Sequence, residues 1–108
     1  MKIAITSRGN TPDALLDQRF GRCNYFVVHD SQTGSIEYIP NPGKVLEEGA
    51  GPAAVELLSS RKVMMIISGE FGIKIKPILD SLNVQLIIIK DRERTVGGII
   101  QMLNHKKL

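Results

Sequence analysis

Two arginines, a glycine and the chain's one cysteine stand together in the stretch DQRFGRCNYF, Asp17 to Phe26, directly before an apolar run. Arg19 and Arg22 carry fixed positive charge. Their guanidinium groups hold anions through charge and through planar sets of N–H donors. Gly21 between them lets another backbone come close. Cys23 adds a soft sulfur donor, and adjacent arginine favours its thiolate. The chemistry on offer is capture of an anion, with or without a metal touched by sulfur. Each residue also has a plain reading. The arginines serve as solvated surface charge, and Cys23 as a half-buried small side chain.

The elements that position these residues follow from the apolar pattern. KIAITS reads as a first strand ending in the turn Ser7-Arg8-Gly9-Asn10. Tyr25 to His29 is a second strand, and Ser35 to Ile39 a third. The short turn Ser31 to Gly34 joins them as an antiparallel hairpin. A proline- and glycine-bearing loop follows, and Pro52 suits the first position of a helix carrying Ala54, Leu57 and Leu58. Val63 to Ile67 is a fully apolar fourth strand ending in Ser68-Gly69. A second helix sets Ile75, Ile78, Leu79 and Leu82 on one face, and Pro77 requires it to begin within a turn before that residue. Asn83 is a left-handed stop. Val84 to Ile89 is a fifth strand. Thr95 caps a last helix with Val96, Ile99, Ile100 and Leu103 inward. His105 lies beside Lys106-Lys107 in a tail expected to fray.

The order β, β, β, α, β, α, β, α predicts an α/β fold, a three-layer α/β/α sandwich. Its mixed five-stranded sheet has order 3-2-1-4-5 with strand two antiparallel. With 108 residues, one domain over 1–108 is expected. In such sheets ligands bind beyond the carboxyl ends of parallel strands, at the point where the strand order switches. Strand one ends at Arg8 and strand four at Ser68-Gly69. Strand two begins at the arginine segment, and strand three leads toward Gly49-Ala50-Gly51. All four loops meet on one rim. The candidate binding set is Arg8, Arg19, Gly21, Arg22, Gly49, Gly51, Ser68 and Gly69, with Cys23 as a candidate metal contact. Glycines and helix N-termini there supply backbone N–H groups.

Several classes are excluded or disfavoured. GAGPAA lacks the lysine and serine of a phosphate-binding P-loop. There is no CxxC, no paired histidine and no HExxH, so a protein-built zinc or iron–sulfur site is not expected. No catalytic serine–histidine–aspartate set can be named. A net charge of +3 and 5% aromatic residues do not call for nucleic acid. No apolar stretch reaches the ~20 residues of a membrane span. A single cysteine and a start without a signal peptide favour the cytoplasm.

The motifs MKIAITSRG, DQRFGRCNYFVVHD, NPG, EEGAGPAAVELL, VMMIISGEFG and RTVGGII occur in this order. They resemble the dinitrogenase iron–molybdenum cofactor biosynthesis family, the NifX-like group that is also similar to the C-terminal part of many NifB proteins. The resemblance spans nearly the whole chain, and RFGR and GAG are its most specific pieces. It implies a ribonuclease-H-like fold. It also implies non-catalytic binding or carriage of the iron–molybdenum cofactor, its precursor or another metal–sulfur cluster, as an accessory of nitrogen fixation. Several members carry histidine before FGR; Arg19 stands there here, which favours charge pairing over metal ligation. The expected partners are such a cluster and cofactor-assembly proteins, with oligomeric state open. The alternatives are an interaction module of the same fold, marked by a copurifying protein without metal, and a nucleotide- or phosphate-binding enzyme, marked by nucleotide binding.

Overall fold

The computed structural model describes residues 1–105, so the Lys106-Lys107 tail lies outside the described residues. Five strands form one sheet: β1 (Lys2–Ser7), β2 (Tyr25–Asp30), β3 (Ile36–Pro40), β4 (Val63–Ser68) and β5 (Gln85–Ile88). The helices are α1 (Ala50–Ser60), α2 (Ile75–Ser81) and α3 (Val96–His105), with a 3-10 turn over Pro42–Val45. The sheet order is β3-β2-β1-β4-β5. β2 pairs antiparallel with both β1 and β3, whereas β1–β4 and β4–β5 are parallel. This is the expected mixed sheet in the expected order.

Side-chain alternation along each strand divides the core into two layers. On one face Ala4, Phe26, Val28 and Ile66 pack with Ala54 and Leu58 of α1 and Ile75 and Leu79 of α2. On the other, Ile3, Ile5, Val27 and Ile67 pack with Val96, Ile99 and Ile100 of α3. Leu16, from the segment before the arginines, joins that second layer and forms a bridge with Ser7. The β1–β2 connection is therefore tied to the sheet and is not a free loop.

The local stop and start signals resolve in detail. α1 begins two residues earlier than expected, so Pro52 sits within its first turn, where an amide N–H has no helical partner to lose. α2 begins two residues before Pro77. Its expected apolar face is narrower than the spacing implied: Ile75 and Leu79 are buried, but Ile78 and Leu82 are exposed and border an open groove beside Pro52, Val55 and Ser59 of α1. Thr95 Oγ1 accepts the Gly98 N–H at 3.0 Å and caps α3. Asn83 ends α2 with φ 59°.

Lys62 does the same after α1, with φ 62°, but a Cβ is strained in that region. Lys62→Gly is expected to stabilise the fold by about 1 kcal/mol, measured as a higher urea midpoint with unchanged slope.

β1 starts beside Val63, the first residue of β4, and Met1 O accepts from Ser31 N at 3.0 Å in the β2–β3 turn. That edge of the sheet holds the start of the chain. The opposite edge holds the ends of β1, β3, β4 and β5 and the entry to β2.

Candidate functional site

The rim on that opposite edge is built by backbone packed on backbone. Gly21 faces the first turn of α1 so closely that a Cβ there would lie 2.8 Å from Gly51 N. Arg19 forms a parallel bridge with Glu70, just past β4. Gly69 packs against Gln18, where a Cβ would lie 2.6 Å from Gln18 Cα. The arginine segment, the α1 entry and the end of β4 thus meet, as the strand order required.

Two clefts open on this rim and share Arg19 and Glu70 as a dividing wall. The first, of about 650 Å³, lies toward β5 and is lined by Arg8, Arg19, Lys90 and Arg92, together with Asp17 and Glu70. The second, of about 640 Å³, lies toward α1 and is largely apolar, with Phe20, Phe71, Ile73 and Ile75 in its walls.

The three arginines of the candidate set have different surroundings. Asp17 is nearly inaccessible, and its carboxylate accepts from Arg19 N at 3.0 Å and from Arg19 Nε at 3.3 Å. Arg19 keeps 55% of its side-chain surface exposed. The hydrogen bond to Asp17, and then its charge, raise the Arg19 pKa further, so the guanidinium is a permanent cation. Arg22 reaches across to the 3-10 turn and its exit. Its Nη1 donates to the Lys44 carbonyl at 2.9 Å and to that of Leu46, and its Nη2 donates to the Glu47 carbonyl at 3.2 Å. Arg22 is a clamp on the loop before α1 as well as a wall of the second cleft. Arg8 belongs to the first cleft and forms no ion pair among the described residues.

The remaining candidates divide likewise. Gly51 lines the second cleft, and Gly49 precedes α1 with φ 77°, a conformation that favours glycine. Ser68 and Gly69 line neither cleft. Ser68 Oγ sits 2.9 Å from Thr6 Oγ1, which donates to the Asp17 carbonyl at 2.7 Å. Both residues are buried beneath the rim and support it.

Cys23 corrects the sequence expectation. Its side chain points into the α1-side core, is fully buried, and belongs to the cluster of Phe20, Phe26 and Ala54. Burial, followed by the nearby Asp17 charge, pushes its pKa up to about 12. A thiol so placed is protonated at neutral pH and offers no soft donor to the rim. The adjacent arginines do not favour its thiolate because they point outward. Phe20 is the core plug expected, with its ring 5.1 Å from Phe71 and 6.1 Å from Phe26.

Four contributors were missed. Lys90 and Arg92 come from the loop after β5, which the switch-point rule also places on this edge. Gln18 and Asn24 line the first cleft with buried atoms, Gln18 Nε2 and Asn24 Oδ1, that make no hydrogen bond. Asn24 Nδ2 donates to the Arg8 carbonyl at 2.8 Å and so ties two walls together. Among the described residues, no group of three or more histidine, cysteine, aspartate or glutamate side chains could hold a metal ion. What the described residues of the rim offer is positive charge and N–H donors, a chemistry suited to anions.

Comparison with known proteins follows the same line. A family model described as dinitrogenase iron-molybdenum cofactor matches residues 1–105. A search of curated proteins finds no match. Among solved structures, the apo form of the orange protein from Desulfovibrio gigas is similar, with a TM-score of 0.86 and 31% identity over 94% of this chain and 85% of that one. A Thermotoga protein described as a candidate NifB protein has a TM-score of 0.81 and 25% identity, covering 98% of this chain and 89% of its own. A Methanocaldococcus jannaschii protein described as a candidate dinitrogenase shares the fold at a TM-score of 0.58 and 17% identity, over 94% of this chain and 89% of that one.

Proposed function

Because this chain belongs to the dinitrogenase iron–molybdenum cofactor family, we propose that it binds and carries an anionic metal–sulfur cluster for cofactor assembly, without transforming it. The cargo is the iron–molybdenum cofactor, a precursor or a related cluster, received from and passed to assembly proteins in the cytoplasm. The observation that carries this reading is a rim with several cations and, among the described residues, no ligand set. A cluster capped by its own sulfides is a bulky anion. Charge and N–H donors can hold it without any bond to metal, and a non-covalent hold leaves it free to transfer.

In this reading Arg8 and Arg19 act by charge. Gly21, Gly49 and Gly51 keep the rim backbone close and open, and Arg22 fixes the loop that faces it. Cys23, Ser68 and Gly69 support the rim from below.

Anaerobic reconstitution with an iron–molybdenum–sulfur cluster, followed by desalting and elemental analysis, tests the proposal. Wild type and Cys23→Ala are expected to retain metal equally. Arg19→Gln is expected to lose about tenfold in affinity, the effect of one charge close to a multivalent anion. Failure of folded wild type to retain any cluster sinks the proposal, and loss of retention in a folded Cys23→Ala variant shows ligation by sulfur instead.

Ile73, 91% exposed, lines the second cleft, and Val45, 84% exposed, ends the 3-10 turn that Arg22 clamps. They favour a second role for the same edge, contact with the protein that gives or takes the cargo.

A further inference from the structure

We infer that the cleft on the β5 side is the seat of the cargo, and that Lys90 and Arg92 are binding residues for it. This rests on the cargo reading above, which does not itself choose between the two clefts. The ligand class is a multivalent, sulfide-terminated inorganic anion.

Charge separates the clefts first. In the β5-side cleft four cations from three stretches of chain face two carboxylates, Asp17 and Glu70. Arg8, Lys90 and Arg92 form no ion pair among the described residues. Their neighbour Arg94 does pair, with Asp91 at 3.4 Å, so the loop after β5 neutralises one of its cations and leaves the cleft-facing pair open. In the α1-side cleft the cations are the shared Arg19 and Arg22, of which Arg22 is already bound to backbone carbonyls, and most of the remaining lining is apolar.

Polar satisfaction separates them next. A buried donor without a partner costs free energy that a ligand acceptor can recover. Gln18 Nε2 is such a donor, and its side chain lines the β5-side cleft. The atom itself lies beneath the cleft surface, and the lining of the α1-side cleft holds no buried polar side-chain atom left without a partner in this way. Arg8 follows β1 and Lys90 and Arg92 follow β5, with β4 between those strands, so the cations that line this cleft reach it from separate strand ends.

The probe is tetrathiomolybdate, titrated by absorbance at low ionic strength. Lys90→Gln/Arg92→Gln is expected to weaken binding at least about tenfold, since two cations near a dianion are removed. Lys2→Gln/Lys62→Gln removes the same charge at the opposite edge of the sheet and is expected to change affinity by less than about twofold, because that distance is screened. Lys90 and Arg92 are exposed, so a matching thermal midpoint confirms that the fold is intact. Equal weakening in both double variants, or none in Lys90→Gln/Arg92→Gln while wild type binds, overturns the seat alone. No binding of probe or cluster by folded wild type overturns the cargo reading and the seat with it.

Discussion

Alanine at position 69 will cost the fold about 3 kcal/mol or more, read as a thermal midpoint lowered by about 12 °C or more. The added Cβ would stand 2.6 Å from Gln18 Cα and closer still to that residue's side chain. Gln18 cannot retreat, because the chain before it is pinned. Asp17 N donates to the Thr6 carbonyl at 2.9 Å, and Leu16 N donates to the Arg94 carbonyl at 2.9 Å. β4 cannot retreat either, since it lies between β1 and β5. A new Gln18 rotamer could relieve the side-chain contacts, but not the approach to Gln18 Cα, which is backbone. Since Gln18 lines the β5-side cleft, where we propose that the anion sits, any Gly69→Ala protein that still folds should bind the anion less tightly. A variant with wild-type stability would show that β4 and the arginine segment do not approach as described.

The second large effect is alkaline. Unfolded, the Cys23 thiol titrates near its ordinary value, about 8.5; folded, burial holds it up to about 12. Below pH 8 both states keep the proton and the full stability is present. Above the unfolded value the unfolded chain sheds a proton that the folded chain retains, so stability falls as pH rises. Near pH 11 the loss from this group is about 3 kcal/mol, at 1.36 kcal/mol for each unit. Lysines and tyrosines also titrate there, so the measurement compares pH slopes of denaturant unfolding for wild type and Cys23→Ala. The variant should be less stable at neutral pH, having lost a packed sulfur, yet decline less steeply toward pH 11. Identical slopes would mean that the thiol is not buried as the structure has it.

Much of the fold was legible because its signals are local and repeated. The apolar runs of β4 and β5, the hairpin turn after β2, Asn83 and Thr95 each speak through one or a few residues. Together with the crossover rule they gave the strand order. Where charges would gather was legible too, from the same order. Which side chains face the ligand was not. A rim has an inner and an outer layer, and DQRFGRC contributes to both: Asp17, Phe20 and Cys23 turn inward while Arg19 and Arg22 turn out. No periodicity announces that division in an irregular segment. Arg22 could not be assigned to its carbonyls, because those belong to a turn 22–25 residues away. Lys90 and Arg92 were missed for a simpler reason. KDRER reads as an ordinary solvated charge run until the end of β5 is set beside the ends of β1 and β4.

The placement of Met1 on the far edge has a practical corollary. A bead, a dye or a fused reporter attached through the amino terminus would hang from the side where β1 starts, beside the β2–β3 turn. The arginine-bearing edge would then project into solution with both openings unobstructed. A molecule immobilised in this way should take up the tetrathiomolybdate probe, if the proposed binding holds, with the affinity of the free protein.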